Sequence, residues 1–452
     1  MNTYGDRMSP EPLAVAGPQA PVGTADRPGK WRQLALLSGL TSMDGTEGSV
    51  ATVLFPALRT ALGVPLSALG VLVAASKLAG MVTGPAWAAL AQRTNRKAVL
   101  VISSGLWGGW SIAAGLAQNW AQLVVLFTIA AAGFAGGGPL VNGILADLFD
   151  DATRGRAAGY LYGGAAVALA IVGPLLGQLS RIHDGWRYGF LISGAVTVAF
   201  GVLVLLFFRD PVVGAADPPR TRAPAVTRPN ALSRAALREL LGIRTLRLVL
   251  IQRVTNSQFT LLSFGVVYLV DVFHFSNAQA SLVTAPAALA YLFGTVAGGV
   301  AVDRAQRRWP GTGRLVTWQA ATLAWAFAAL LGTQVSWPSI GIYIVFFAAL
   351  GLFQGFNPGA NRPILMAVTR PELRSAAFAL MLSAESAGWA LNTLVVGYLS
   401  DAIGLRAAVL WLVVVLCFAN GLFMTALYRP YARDSAALRT PPTTPTPRTE
   451  HP

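Results

Sequence analysis

Cysteine, histidine and charged residues are all scarce in this chain of 452 residues. Cys417 is the only cysteine, which excludes an internal disulfide bond and a cysteine-rich metal site. His183, His274 and His451 are not paired at ligand spacing, so we expect neither a metal ion nor another cofactor. Charged residues make up 12% of the chain, whereas about a quarter is usual in soluble proteins. These shortages argue against a water-soluble enzyme.

Long apolar stretches fill much of the sequence instead. The chain is 54% hydrophobic and has a mean hydropathy of +0.56. A helix needs roughly 20 apolar residues to cross about 30 Å of hydrocarbon. Twelve stretches reach that length, at 34–60, 67–91, 98–118, 120–145, 157–180, 187–208, 247–272, 278–302, 315–335, 338–366, 375–400 and 404–428. Because soluble helices keep a polar face toward water, this pattern predicts an all-α membrane protein with twelve transmembrane helices.

The net charge of +15 reflects where the basic residues lie. Nearly all of them fall in the two tails and in alternate loops, and the other loops hold only Arg59, Arg181, Arg187 and Arg406. The positive-inside rule therefore places both termini in the cytoplasm, with basic loops against membrane lipids. No nucleic-acid partner is expected, because basic and aromatic residues are not interleaved. The arginine-rich, alanine-rich composition suggests a bacterial inner membrane, where we expect a monomer.

Composition and internal repeats divide the chain into two similar halves. Residues 31–208 and 247–428 each hold six spans, and 209–246 form a cytoplasmic linker with an amphipathic segment. The polar tails, 1–30 and 429–452, are expected to be disordered. Pro139 and Asn142 of span 4 recur with the same spacing as Pro358 and Asn361 of span 10. Such matches predict two pseudo-symmetric six-helix bundles.

The loops after spans 2 and 8 carry related basic motifs. The second copy holds Gly299, Asp303, Arg304, Arg307 and Arg308. The first copy keeps Arg93, Arg96 and Lys97, but Ala88 and Gln92 replace the glycine and the aspartate. These motifs resemble the signature loops of the major facilitator superfamily, and Gly173, Pro174 and Gly177 of span 5 resemble its Gly-Pro motif. The resemblance implies gating loops, and an interface at which small residues let the two halves approach.

Within that superfamily the chain resembles the Spinster-like lipid exporters. Asp44 in span 1 and Trp107 after the first basic loop carry the resemblance. Phe127 and Phe134 depart from it, since the branch has an arginine and a glutamate on span 4. Glu385 stands where the branch has a histidine on span 11. These departures leave the substrate class and the coupling scheme of the branch open.

Four ionisable residues lie deep within the predicted spans: Asp44, Glu47, Lys77 and Glu385. Such residues are costly in a membrane and are functional candidates for that reason. The family architecture implies that Lys77 meets Glu385 in one state and Asp44 or Glu47 in another. The surplus of carboxylates would favour proton uptake and hence proton coupling. Alternatively, Lys77 permanently neutralises one carboxylate, or the carboxylates bind a cationic substrate directly.

Polar residues of spans 4, 7 and 10 are candidates for lining a substrate cavity: Asn142, Asn256, Gln258, Gln354, Asn357, Asn361 and Arg362. Their amides can bind a polar part of a substrate or can hold helices together. Arg253 and Arg362 are interpreted as lying near span ends, where they would reach lipid phosphates or an anionic head group.

The sequence thus predicts a secondary transporter that works by alternating access. The favoured hypothesis is proton-coupled efflux of a small amphipathic molecule, such as a drug-like compound or a lysolipid. The alternatives are a proton-coupled importer of a sugar or organic anion, and a membrane receptor or assembly protein without transport activity. No Gly-x-x-x-x-Gly-Lys-Ser/Thr loop is present, so ATP is not expected to drive the protein. No catalytic constellation indicates an enzyme.

Overall fold

Twelve helices of membrane-spanning length make up the computed structural model, which describes residues 29–149, 151–211, 234–370 and 373–438. They are α1 Lys30–Val53, α2 Ser67–Arg93, α3 Arg96–Gly115, α4 Trp120–Leu148, α5 Asp151–Leu179, α6 Gly185–Phe207, α7 Arg244–Phe273, α8 Asn277–Arg308, α9 Gly313–Gln334, α10 Ile340–Val368, α11 Arg374–Ile403 and α12 Leu405–Ala437. Short helices cover Phe55–Leu62 and Arg234–Gly242. The predicted all-α fold is confirmed.

Eleven of these helices are long and apolar enough to cross a membrane. The remaining one, α1, has 24 residues, and Asp44 and Glu47 in its middle make it less apolar. Its length still suffices for a crossing. The twelve-span prediction is therefore consistent with the structure, and the exception is the helix that carries two of the candidate carboxylates.

The end of α12 differs from the expectation of a disordered tail after residue 428. Residues 428–437 are helical, and Tyr431 is buried. Asp434 accepts hydrogen bonds from the backbone N–H (2.9 Å) and the hydroxyl (2.7 Å) of Thr245 at the start of α7. These contacts give the segment a packed partner that composition alone does not reveal. The rest of both predicted tails and most of the predicted linker lie outside the described residues.

Three of the long helices are locally irregular. Thr255–Ser257 separate the two helical parts of α7, Arg244–Val254 and Gln258–Phe273. In α3 and α12, the segments Ile102–Leu106 and Leu410–Val415 are π-helical. Non-helical backbone at membrane depth is tolerated only where protein groups or water satisfy it. Such irregularities frequently mark functional sites.

The two halves of the molecule share a hydrophobic core at one end. We call this end, where α1 ends and α2 begins, the distal face, and the opposite end, where the described chain starts and finishes, the termini face. At the distal face one buried hydrophobic cluster includes residues of both halves, such as Leu58, Leu69, Tyr268 and Leu405. Toward the termini face each half has its own cluster. The halves are therefore closed together distally and diverge toward the termini face.

Specific contacts seal the distal face. The Arg59 Nη1 and Asp271 Oδ2 atoms form an ion pair of 2.6 Å. The Asp401 carboxylate at the end of α11 accepts hydrogen bonds from the backbone N–H groups of Leu66 (2.9 Å) and Ser67 (3.1 Å) at the start of α2. An acceptor at a helix N-terminus is favourable, because the first N–H groups of a helix have no internal partner.

Small residues let helices of the two halves approach at this end. A Cβ atom added to Gly70 of α2 would lie 3.2 Å from the Leu394 Cα atom of α11. One added to Gly177 of α5 would lie 2.8 Å from the Ser281 Cβ atom of α8. Nearer the termini face, Val82 of α2 is 68% exposed and Leu382 of α11 is 53% exposed. The same two helices are thus in contact distally and separate toward the termini face.

Candidate functional site

An ion pair between Glu385 and Arg253 lies beside the break in α7. The Arg253 Nη2 group donates to the Glu385 Oε2 atom. Arg253 is only 2% exposed, whereas the Glu385 side chain is 21% exposed. Gly388, one turn after Glu385, brings α11 against α7: a Cβ there would lie 2.6 Å from the Val254 Cα atom. The pair therefore joins two helices of the same half near the middle of the membrane.

This position corrects the interpretation that Arg253 reaches lipid phosphates from a span end. The helix α7 begins at Arg244, earlier than the predicted span. Arg253 is consequently about 15 Å from that end, at 1.5 Å per residue. Its Nε and Nη1 groups are buried and have no hydrogen-bond partner among the described residues. A buried guanidinium with free N–H groups is suited to bind an anionic group or ordered water.

The unwound part of α7 is held by side chains of its neighbours. The Asn392 amide of α11 donates to the carbonyl oxygens of Val254 (3.2 Å) and Asn256 (3.4 Å). The Asn256 Oδ1 atom accepts from the Gln258 N–H group (3.0 Å). The Ser257 hydroxyl donates to the Val413 carbonyl oxygen in the π-helical segment of α12 (3.2 Å). The break is therefore a stable feature of the fold, and it positions Arg253.

Lys77 contacts the opposite half through an aromatic ring. Its Nζ atom lies 3.6 Å from the centroid of the Trp389 ring of α11, a cation–π contact. The ring stacks on Phe259 with 4.6 Å between centroids, and its Nε1 group donates to the Ser263 hydroxyl (3.0 Å). Lys77 is attracted electrostatically by Glu385, but it forms no ion pair with any carboxylate of the described residues.

The other two candidate carboxylates lie elsewhere, inside the N-terminal half. Asp44 is next to Ser104 of α3, and Glu47 is next to Ser111 of α3 and Thr197 of α6. Glu47 is 4% exposed. The structure therefore divides the four predicted ionisable residues between two places. Lys77 and Glu385 lie where the halves meet, and Asp44 and Glu47 form a separate pocket.

Positive charge exceeds negative charge where the halves meet. Tyr291 of α8, which is partly exposed, lies within the electrostatic range of Glu385, Arg253 and Arg362. Arg362 itself is exposed. Arg253 and Lys77 thus both accompany the single carboxylate of Glu385, and Arg362 lies nearer the termini face. An anionic group of a ligand would compensate the excess charge.

Most of the predicted cavity amides are buried in contacts between helices of the C-terminal half. The Asn357 Nδ2 group donates to the Gln258 Oε1 atom (2.9 Å), and the Asn357 Oδ1 atom accepts from the Trp318 Nε1 group (2.6 Å). Gln258 and Gln354 line a small cavity of about 40 Å³ beside Trp325 and other apolar side chains. These amides join α7, α9 and α10, which agrees with the helix-joining alternative.

The repeat-related asparagines have different surroundings. Asn142 is exposed, and its Oδ1 atom accepts a hydrogen bond from the Tyr162 hydroxyl (2.7 Å). Asn361 is buried, and its Oδ1 atom has no partner among the described residues. A shared sequence position therefore does not give the two residues a shared environment.

The two basic loops also differ in their contacts. Arg96 forms ion pairs with Asp147 of α4 (2.5 Å) and with Asp210 after α6 (2.8 Å). Arg96 thereby holds together the start of α3, the end of α4 and the end of α6 at the termini face. These contacts do not involve the motif aspartate, which Gln92 replaces in this sequence. In the second loop α8 remains helical as far as Arg308. Asp303, Arg304, Arg307 and Arg308 are exposed, and Asp303 has no ion pair with the described part of the chain.

The remaining motif residues lie at close helix contacts or in open space. Arg93 is exposed and Lys97 is partly exposed at the termini face. Gly299 of α8 lies against Gly359 of α10, where an added Cβ would be 3.0 Å from the Gly299 nitrogen atom. Gly177 and Pro174 lie on α5, and a Cβ at Gly173 would meet no heavy atom within 4 Å. Of the predicted interface glycines, Gly177 is the one in contact with the other half.

Sequence reasoning missed several residues that the structure places at these sites. Arg253 was misplaced because the start of α7 was set too late. Ser104, Ser111 and Thr197 gave no signal, since single hydroxyl residues are common in membrane helices. Asp271 and Asp401 lie near span ends, where carboxylates are common. Their role became visible only from their contacts with the other half, which the sequence does not reveal.

Comparison with known proteins identifies the family. The model of the Major Facilitator Superfamily matches residues 36–316 and 254–451. The 4-hydroxybenzoate transporter PcaK of Pseudomonas putida is 26% identical over 182 residues, which cover 40% of this chain and 40% of that protein. The efflux pump dotC of Dothistroma septosporum (strain NZE10 / CBS 128990) is 32% identical over 173 residues, covering 38% of this chain and 29% of that protein. The aligned region thus spans less than half the length of each relative.

Solved structures with the same fold are also transporters. A bacterial homologue of the human lysosomal transporter Spinster, in an inward-facing and occupied conformation, has a TM-score of 0.69 and 20% identity, covering 91% of this chain and 97% of that chain. The nucleoside transporter NupG has a TM-score of 0.67 and 14% identity, covering 89% of this chain and 98% of that chain. Taken with the fold and the family match, these findings show that the chain belongs to the major facilitator superfamily.

Proposed function

We propose that this transporter exports a small amphipathic molecule with a charged head group, such as a lysolipid, in exchange for protons. The observation that carries the proposal is the Glu385–Arg253 pair beside the break in α7, where Arg253 keeps two buried N–H groups free. A head group with one negative and one positive charge could take over both partners. Its anionic part would bind Arg253, and its cationic part would bind Glu385.

Proton exchange follows from competition at Glu385. A proton on this carboxylate would neutralise the partner that the cationic part of the substrate requires. Substrate and proton would then occupy the site alternately, which is the requirement for antiport. Glu385 is half-way along a helix that packs against the other half, so its charge can also bias which face is open. The apolar surroundings of the site suit the acyl part of the substrate.

The proposed orientation places the termini face in the cytoplasm of a bacterial cell, at the inner membrane. Basic side chains at that face, such as Arg93, Arg307 and Arg308, support it through the positive-inside rule. The open termini face would then admit substrate from the cytoplasmic leaflet. Membrane lipids would contact the basic loops, and the protein would act as a monomer.

A proton-coupled importer of an organic anion is the second candidate. The excess of cationic side chains near Glu385 favours it, and one relative is a 4-hydroxybenzoate transporter. In that scheme a proton on Glu385 would release Arg253 to bind the anion, so that proton and anion move together. Family membership argues against the third alternative, a receptor without transport.

Flux measurements in proteoliposomes would distinguish the two schemes. An outward substrate flux that is accelerated by an inward proton gradient supports exchange. Acceleration by a gradient that runs in the same direction as the substrate supports the importer. A lysophosphatidylcholine with a radioactive label and 4-hydroxybenzoate are suitable probes, and absence of gradient-dependent flux with every tested substrate would contradict both schemes.

A further inference from the structure

A group of buried oxygen atoms without hydrogen-bond partners lies around the middle of α1. It comprises the Asp44 Oδ1 and Glu47 Oε1 atoms, with the hydroxyl oxygens of Thr41, Ser103, Ser104 and Thr197. Nearly all buried polar atoms in proteins have a hydrogen-bond partner or a bound ion. The Ser104 hydroxyl can donate to Asp44, and the Thr197 hydroxyl can donate to Glu47. The Asp44 Oδ1 and Glu47 Oε1 atoms are therefore the oxygens that a bound species would satisfy.

The backbone directs these oxygens toward a common space. The π-helical turn of α3 carries Ser103 and Ser104, both nearly inaccessible to solvent. Opposite them, Gly137 of α4 leaves room: a Cβ atom there would collide with the Asp44 Oδ2 atom and lie 2.5 Å from the Ser104 Oγ atom. One turn further along α1, Glu47 is next to Ser111 and Thr197.

No cationic side chain of the described residues balances the two carboxylates of this pocket. Glu47 is the charged group that acts on Asp44, and α3, α4 and α6 present hydroxyl groups and glycine to the two carboxylates. No lysine, arginine or histidine of the described residues forms an ion pair with either one. This distinguishes the pocket from Glu385, which has Arg253 as its partner. Two carboxylates in such a place require protons or a cation.

Asp44 lies at the more accessible side of the pocket. Gly45 of α1 and Gly138 of α4 flank Asp44, and both are exposed. A Cβ atom at either glycine would meet no heavy atom within 4 Å. Glu47 and the hydroxyls of Ser104 and Thr197 lie behind Asp44 and are nearly inaccessible to solvent. An ion entering from the open termini face would therefore reach Asp44 first.

We propose that Asp44 and Glu47, with the hydroxyl groups of Ser104, Ser111 and Thr197, form a binding site for Na⁺ within the N-terminal half. Carboxylate and hydroxyl oxygens are the ligands that hard cations prefer. One Na⁺ and one proton would neutralise the two carboxylates. The proposal goes beyond the proton exchange proposed above, which is placed at Glu385, and adds an ion site where Na⁺ and protons would compete for Asp44 and Glu47.

Binding can be measured on the purified full-length protein, without transport. The probe is radioactive sodium, with the thermal unfolding midpoint in NaCl, KCl and choline chloride as a second readout. We expect saturable sodium binding and a higher midpoint in NaCl, since a ligand that binds only the folded state stabilises it. Both effects should weaken at acidic pH, where protons occupy Asp44 and Glu47.

Variants locate the site. Asp44→Asn, and separately Ser104→Ala, should weaken sodium binding about 10–100-fold. The conservative Ser104→Thr should retain most of it, which separates loss of a ligand oxygen from a folding defect. Glu239→Gln, which removes a carboxylate at the termini face, should leave sodium binding unchanged.

Three results would overturn the proposal. The first is equal midpoints in NaCl and choline chloride together with no saturable sodium binding. The second is stabilisation by CaCl₂ and not by NaCl. The third is loss of sodium binding in Glu385→Gln with full binding in Asp44→Asn, which would put the ion where the halves meet. If the protein binds sodium but shows no proton-driven flux, the sodium site stands and the proton exchange proposed above is wrong. Failure of one proposal can therefore be distinguished from failure of the other.

Discussion

At the scale of single residues, the charged side chains in the membrane divide into two chemically different groups. Arg253, Glu385 and Lys77 lie where a ligand from the central space can reach them, and cations predominate there. Asp44 and Glu47 lie within one half, beside the hydroxyl groups of Ser104, Ser111 and Thr197. The two proposals therefore concern separate places, an anionic group at the first and a cation at the second.

The cation–π contact between Lys77 and Trp389 can be tested with a double-mutant cycle. Such contacts contribute about 0.5–2 kcal/mol. Lys77→Met and Trp389→Leu should each lower the free energy of unfolding. The double variant should lower it by less than the sum of the two single decreases. As a control, Lys77→Met combined with Trp107→Leu should be additive, because Trp107 lies on α3 and packs against Trp87. Additivity in the first pair would show that the contact does not stabilise the protein.

At the scale of the helices, close approach at small residues determines which face is shut. Gly177 packs against Ser281 across the two halves, whereas Gly173, one turn earlier on α5, faces open space. The hydrogen bonds of Asn392 to the unwound part of α7 keep a second element fixed. Distal closure therefore depends on a few positions where a side chain cannot be accommodated.

Enlarging Gly177 should accordingly open the distal face. We expect Gly177→Val to increase labelling of a cysteine placed at the buried distal position Leu66, in a background where Cys417 is replaced by serine. Gly173→Val is the matched control on the same helix and should leave labelling near the wild-type level. Equal labelling in the two variants would contradict the role given to the α5–α8 contact.

At the scale of the whole molecule, the proposed function makes the structure one state of an alternating-access cycle. The distal face is sealed by a shared hydrophobic cluster, and by the polar contacts of Arg59 with Asp271 and of Asp401 with α2. The opposite state requires these contacts to break while the termini face closes. The separate hydrophobic clusters of the two halves allow each half to move as a unit.

The ion pair between Arg59 and Asp271 should make a small contribution to this equilibrium. Both side chains are about one-third exposed, and such pairs contribute about 0–1 kcal/mol. Asp271→Arg should therefore shift the population toward the distal-open state by up to about fivefold, measured by the same labelling at position 66. The charge exchange Asp271→Arg with Arg59→Asp should restore the wild-type population. A double variant that remains as open as the single one would contradict this.

Much of the architecture could be predicted from the sequence, because bilayer thickness fixes helix length and the repeats report the two-fold arrangement. The positions of Asp44, Glu47, Lys77 and Glu385 at similar depth followed in the same way. Their partners could not be predicted, since the direction of a side chain around a helix depends on where the helix begins and where it is interrupted. The late predicted start of α7 misplaced Arg253, and the π-helical turn that presents Ser104 to Asp44 leaves no pattern in the sequence.

The central claim is that substrate and protons compete at Glu385. The most direct measurement compares wild type and Glu385→Gln in proteoliposomes, for flux driven by a proton gradient and for exchange of labelled with unlabelled substrate without a gradient. We predict that Glu385→Gln loses the gradient-driven flux and needs a higher substrate concentration for exchange, because the neutral amide can neither bind a proton nor pair with the cationic part of the substrate. Undiminished gradient-driven flux in this variant would contradict the claim.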